Sequence, residues 1–156
     1  MSMHEAYLQE ALRLAEANVE AGGQPFGAVL VKDGLMIATG VNGIDASHDP
    51  TCHSEIEAIR AASRRLGTPD LSGSTLYASG FPCAMCLAAM YQAGVEAVYY
   101  AYGEEDGAAY GLPTAPLYRG LGQAFARQPL PLLPVTLPLP EPHLYRRWRD
   151  RQARHG

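Results

Sequence analysis

His53-Ser54-Glu55 and Pro82-Cys83-Ala84-Met85-Cys86 are the two stretches on which the reading of this chain turns. Each opens a run with helical spacing. Ile56, Ile59, Ala62 and Leu66 follow the first, and Leu87, Met90 and Tyr91 follow the second. The imidazole and the thiols therefore fall in the first turn of two helices. Unpaired N–H groups and the positive end of the helix dipole there favour thiolate over thiol.

One imidazole and two thiolates are zinc ligands, and a catalytic zinc site uses three protein ligands while leaving a fourth position open. Glu55 is a further carboxylate, two residues from the imidazole and not needed for the ligand set. Two other readings compete. A redox C-x-x-C pair fits the strand–helix junction before Cys83 but gives no role to His53 or Glu55. A structural zinc site needs a fourth protein ligand. Cys52 is the nearest, yet its side chain and that of adjacent His53 diverge. Cys52 is better read as a small buried side chain.

Outward from these stretches, Met3 to Ala21 carries Tyr7, Leu8, Ala11, Leu12, Ala15 and Val19 at helical period and stops at Gly22-Gly23. Phe26 to Lys32 and Leu35 to Gly40 are strand-forming runs joined by Asp33-Gly34, a hairpin signature. Val41 to Cys52 reads as loop, and strands are expected at Ser74 to Ser79 and Val95 to Ala101. Beyond lie one short helical turn within Gly103 to Gly111, a helix over Leu117 to Ala126 and a proline-rich stretch from Gln128 to Pro140. That stretch has room for a short strand at Leu133 to Leu137. A terminal amphipathic helix is expected to dock through Leu144, Tyr145 and Trp148, with five arginines on its solvated face. The sum is one α/β domain over residues 1–156, with helices on both faces of a mixed sheet.

The 156 residues suffice for one core, and no apolar run approaches a membrane span. Met1-Ser2-Met3-His4-Glu5 has no signal-peptide pattern, and three cysteines make no disulfide framework, so a cytoplasmic protein is expected. A net charge of -4 argues against a nucleic-acid partner. Among other polar candidates, His48 and Glu57 read as surface, and one of Tyr99, Tyr100, Tyr102 and Tyr110 is a candidate for stacking on a ring.

The H-x-E…P-C-x-x-C pattern of His53, Glu55, Pro82, Cys83 and Cys86 is that of zinc-dependent base and nucleoside deaminases. With Pro25-Phe26-Gly27-Ala28-Val29, Asn42 and Asp49-Pro50-Thr51, the chain resembles the cytidine deaminase-like superfamily, and within it the bacterial guanine deaminase branch. The resemblance covers roughly Met3 to Ala101. It implies a three-layer αβα fold around a mixed sheet. It also implies zinc on His53, Cys83 and Cys86, proton transfer by Glu55, and a small-molecule base held by Phe26, Asn42 and the backbone at Ser54. A homodimer is expected from the resemblance and from the apolar stretch Leu130 to Leu139, with the segment from about residue 128 packed on or exchanged with a neighbouring subunit. Two departures stand out. Ser54 replaces an alanine, and Gly111-Leu112-Pro113-Thr114 lacks the acid that relatives carry. Deamination of a free base is the leading expectation, guanine first but handled less well than by relatives that keep the acid. A tRNA adenosine deaminase and a cytosine or aminotriazine deaminase are the alternatives.

Overall fold

Two central strands, buried on both faces, organise the chain. The computed structural model describes residues 1–124 and 127–156. Elements run α1 (Met3–Glu20), β1 (Gly27–Lys32), β2 (Leu35–Val41), α2 (Ile44–Ser47), α3 (Ser54–Leu66), β3 (Ser74–Gly80), α4 (Ala84–Ala93), β4 (Ala97–Tyr102), α5 (Glu104–Ala108), α6 (Ala115–Leu121) and α7 (Leu144–His155). The sheet order is β2-β1-β3-β4. β1 pairs antiparallel with β2 and β3, whereas β3 and β4 are parallel, as a strand–helix–strand crossover through α4 requires.

Alternation along β1 sends neighbouring side chains to opposite layers. Ala28 and Leu30 join Leu76, Ala78, Ile56, Ala58, Cys86 and Met90 beneath α3 and α4. Val29 and Val31 join Tyr77 and Ala11 beneath α1. The fold is thus three layers, helix–sheet–helix, with a mixed sheet, as the sequence predicts.

Local chemistry explains the ends of the elements. Ser2 and Glu5 form a capping box at the start of α1. α3 and α4 both stop on a glycine in the left-handed region, Gly67 and Gly94. The segment expected as loop from Val41 to Cys52 contains α2, a single turn. It is held by the Asn42 side chain accepting from the Ile44 N–H and by the Ser47 hydroxyl donating to the Gly43 carbonyl. β4 begins two residues later than expected, because Val95 and Glu96 are taken up in the turn after α4.

The contact-based division of the chain falls after Gln123. In the first unit, Met1–Gln123, Pro116 starts α6 ahead of the expected Leu117, and the helix ends at Leu121 before Gly122. The expected end at Ala126 lies outside the described residues. In the second unit, Ala124–Gly156, no strand forms at Leu133 to Leu137, where Pro131, Pro134, Pro138 and Pro140 remove ladder donors. The terminal helix is present as α7 (Leu144–His155).

The closest backbone approach lies between β2 and α3. A Cβ on Gly40 would stand 2.6 Å from the Ala58 nitrogen and collide with the Ser54 carbonyl oxygen. Neither obstacle is a side chain that can swing away. Gly40→Ala should destabilise the fold by about 1–3 kcal/mol, the usual cost of overpacking. Chemical denaturation of the two proteins side by side checks this, and an unchanged midpoint would contradict it.

Candidate metal centre and substrate cleft

His53 and Cys83 are the residues immediately before α3 and α4, each in extended backbone conformation. An N-cap side chain points at the first turn of its own helix, so the two ligand groups project from helix N-termini. Cys86 lies one turn into α4 and is fully buried. Its backbone N–H donates to the Cys83 sulfur at 3.5 Å, the capping interaction that orients that thiol.

The three groups converge. His53 Nδ1 lies 3.5 Å from both Cys83 Sγ and Cys86 Sγ, and all three ligand atoms fall within 4.8 Å of one another. Bond lengths of about 2.0 Å to nitrogen and 2.3 Å to sulfur in a tetrahedron put nitrogen and sulfur roughly 3.5 Å apart. The spacing fits zinc. Cys52 is not part of this cluster. It is half-buried, and its sulfur would stand 2.8 Å from a Cβ at Gly43.

Glu55 is buried and sits with Oε2 3.3 Å from Cys86 Sγ. Loss of water around the carboxyl raises its pKa above the ordinary carboxylate range, against the pull of its own backbone N–H and of Cys86. Among the thiols, the hydrogen bond from Cys86 is the largest influence lowering Cys83, to about 4, with His53 assisting. The same hydrogen bond and burial raise Cys86. His53 is raised, chiefly by its hydrogen bond to Cys83. Zinc binding requires both thiols deprotonated and the imidazole neutral, so protons leave as the metal enters.

A cleft of about 600 Å³ opens over this centre, with His53, Glu55 and Cys83 in its wall. Phe26 and Asn42 also line it. The Phe26 ring lies flat enough against Gly80 that a Cβ there would be 3.2 Å from Cε1, so a glycine at the end of β3 makes room for the ring. Asn42 is held on three sides. Its N–H donates to the Phe26 carbonyl, its carbonyl accepts from Asn18 Nδ2, and its side-chain oxygen accepts from Ile44 N–H. The Nδ2 donors are the part of that amide left for a ligand. Ser54 is placed differently. Its side chain is wholly buried, its hydroxyl has no partner, and it is not among the cleft-lining residues.

Two of the tyrosines read as stacking candidates, Tyr102 and Tyr110, line the cleft, as do Pro113 and Thr114 just before α6. Glu104 and Asp106 of α5 also line it and carry no sequence signal of their own. Asp106 is occupied, accepting from the Gly103 N–H at 2.8 Å. Glu104 is half-buried beside it, so the acid missing from residues 111–114 has a counterpart a few residues earlier. Among the described residues, no lysine or arginine lines the cleft. Of the four tyrosines, Tyr99 stacks against Tyr77 and His4, and Tyr100 meets Phe81 edge-on. His48 is exposed at the end of α2, and Glu57 pairs with Arg60.

Comparison with known proteins agrees with this geometry. The cytidine and deoxycytidylate deaminase zinc-binding region matches residues 1–102. The chain is 42% identical over 150 residues to the guanine deaminase of Bacillus subtilis (strain 168), covering 94% of each. The X-ray structure of guanine deaminase from that organism superposes with a TM-score of 0.86 at 41% identity, covering 96% of this chain and 95% of the other. A tRNA-specific adenosine deaminase of Aquifex aeolicus is 41% identical over 96 residues, covering 62% of this chain and 64% of the other.

Removing one ligand at a time separates an open site from a closed one. Cys83→Ala should lose stoichiometric zinc, whereas Cys52→Ala should keep about one zinc per chain, the count a three-ligand site holds. Metal analysis of the purified variants measures both, and loss of zinc from Cys52→Ala would contradict the three-ligand assignment.

Proposed function

The chain belongs to the cytidine and deoxycytidylate deaminase family, and from that premise we propose that it deaminates a free heterocyclic base, with guanine the first candidate. The observation that carries this reading is the cleft. It presents a buried carboxyl beside the ligand cluster, an aromatic face at Phe26, amide donors at Asn42 and an acid at Glu104. A planar ring carrying both carbonyl and N–H groups complements that set. A phosphate has no arginine or lysine to pair with among the described residues of that wall. The near full-length likeness to a guanine deaminase supports the same choice, while the likeness to tRNA-specific enzymes stops at about two thirds of the chain. The net charge of -4 also disfavours RNA.

Held by His53, Cys83 and Cys86, zinc would lower the pKa of a water molecule toward neutrality. The chain's own residues do the rest. Glu55 accepts a proton from the attacking water and delivers it to a ring nitrogen as the new C–O bond forms. It then takes the second proton from the new hydroxyl and hands it to the amine as the C–N bond breaks, so that base and water become the oxo-base and ammonia. A carboxyl raised by burial is suited to both transfers, because loss of water around its charged form favours taking up the proton that it then passes on. Phe26 and the backbone at Ser54, the first residue of α3, hold the ring plane, and Asn42 orients it through Nδ2.

We place the enzyme in the cytoplasm as a homodimer. No helix among the described residues is long and apolar enough to cross a membrane. Leu130, Leu133, Val135 and Trp148 are 74%, 82%, 78% and 63% exposed, more apolar surface than a monomer ordinarily leaves to water. A second copy is the partner of matching chemistry, and the segment from about residue 128 is the part that would pack on it or be exchanged. Light scattering at micromolar concentration should give twice the chain mass, and a monomer would count against the dimer.

Ammonia release from guanine, cytosine, an aminotriazine, guanosine and a tRNA anticodon stem-loop tests the substrate reading. Guanine should be turned over in preference to guanosine and RNA. Glu55→Gln should keep zinc yet lose more than about 10²-fold in turnover. Turnover of the RNA alone would overturn the assignment, and near-normal activity in Glu55→Gln would remove that residue from the chemistry.

A further inference from the structure

We propose that Tyr118 is a positioning residue for the metal centre, its hydroxyl fixing the backbone that leads into Cys83 from a helix that also walls the cleft. Tyr118 Oη donates to the Pro82 carbonyl at 2.6 Å. Pro82 is buried, directly precedes Cys83, and lies between the end of β3 and the start of α4. A buried carbonyl between two elements needs a donor, and Tyr118 supplies it. The peptide plane between residues 82 and 83 then cannot rotate freely, which sets the direction in which the Cys83 sulfur leaves the backbone.

Ring contacts reinforce the grip. Phe81 lies tilted against Tyr118 with centroids 5.9 Å apart and edge-on to Tyr100 of β4 at 5.2 Å. Residues 81 and 82 are thereby held from α6 on one side and from the sheet on the other. α6 packs on α4, so the strap is anchored to the helix whose first turn carries both cysteines.

The other end of α6 faces the cleft. Its N-cap, Thr114, is a lining residue whose hydroxyl is buried without a partner. One short helix therefore touches the substrate wall at its first residue and the metal segment one turn later. A hydrogen bond that orients a ligand-bearing segment belongs to the outer shell of a metal site, whose loss typically costs about 10–100-fold in metal affinity or activity.

This rests on the assignment of His53, Cys83 and Cys86 as the zinc ligands. The test uses holoenzyme of the native chain, Tyr118→Phe, and Leu117→Ala, the last altering an exposed neighbour on the same helix. Zinc release to 4-(2-pyridylazo)resorcinol should be about 10–100-fold faster in Tyr118→Phe, in line with outer-shell losses, and unchanged in Leu117→Ala. The cobalt-substituted Tyr118→Phe protein should show shifted thiolate-to-cobalt absorption, and the substitution should lower the melting temperature of the metal-loaded form more than that of the metal-free form. Equal release rates and identical cobalt spectra would overturn the proposal. A metal-free variant destabilised as much as the metal-loaded one would overturn it too, since the bond would then serve the fold alone. Absence of zinc from the native chain would instead defeat the ligand assignment.

Discussion

Convergence of two helix N-termini on one point is the constraint that the rest of this structure serves. His53 and Cys83 stand 30 residues apart, yet each caps its own helix, and their donor atoms come within 3.5 Å. That distance is set by the sheet. β1 and β3 are adjacent antiparallel strands, and the helix after each ladder rests on the same face. α3 is drawn close over β2 through Gly40, where any side chain would collide with the helix backbone. Filling that contact would move His53 away from the cysteines, so a residue remote from the cleft bears on the geometry of the centre.

Electrostatics follow from the same placement. Two helix N-termini aimed at one site favour anionic ligands and so suit a pair of thiolates. Glu55 is an exception, buried near those sulfurs and held above the ordinary carboxylate range by lost hydration. Lost hydration favours the protonated carboxyl over the charged one, which suits a group that takes a proton as base and then passes it on as acid. The wall of the cleft adds Glu104 and Asp106, with no arginine or lysine among its described residues.

The ligand set was legible in the sequence because short-range patterns encode it. H-x-E and P-C-x-x-C place their groups within one turn of a helix start, and helix starts are read from local spacing. The hairpin, both helices of the centre and the layers of the sheet follow from the same periodicities. What escaped was non-local. Glu104, Asp106 and Tyr118 acquire their positions only when α5 and α6 fold back after β4, and nothing in their immediate neighbours announces it. Ser54 shows the converse, a residue inside the motif whose side chain is buried away from the cleft. The proline-rich stretch failed as a strand because alternation of apolar residues cannot compensate for missing N–H donors.

X-ray absorption at the zinc edge of the purified protein examines the central claim directly, namely that three protein groups hold the metal and leave one position open. The account predicts two sulfurs at about 2.3 Å and two lighter atoms at about 2.0 Å, one of them the His53 nitrogen and the other a solvent oxygen. A shell of three sulfurs, bringing in Cys52, would make the site closed and structural, and the catalytic reading would fall with it.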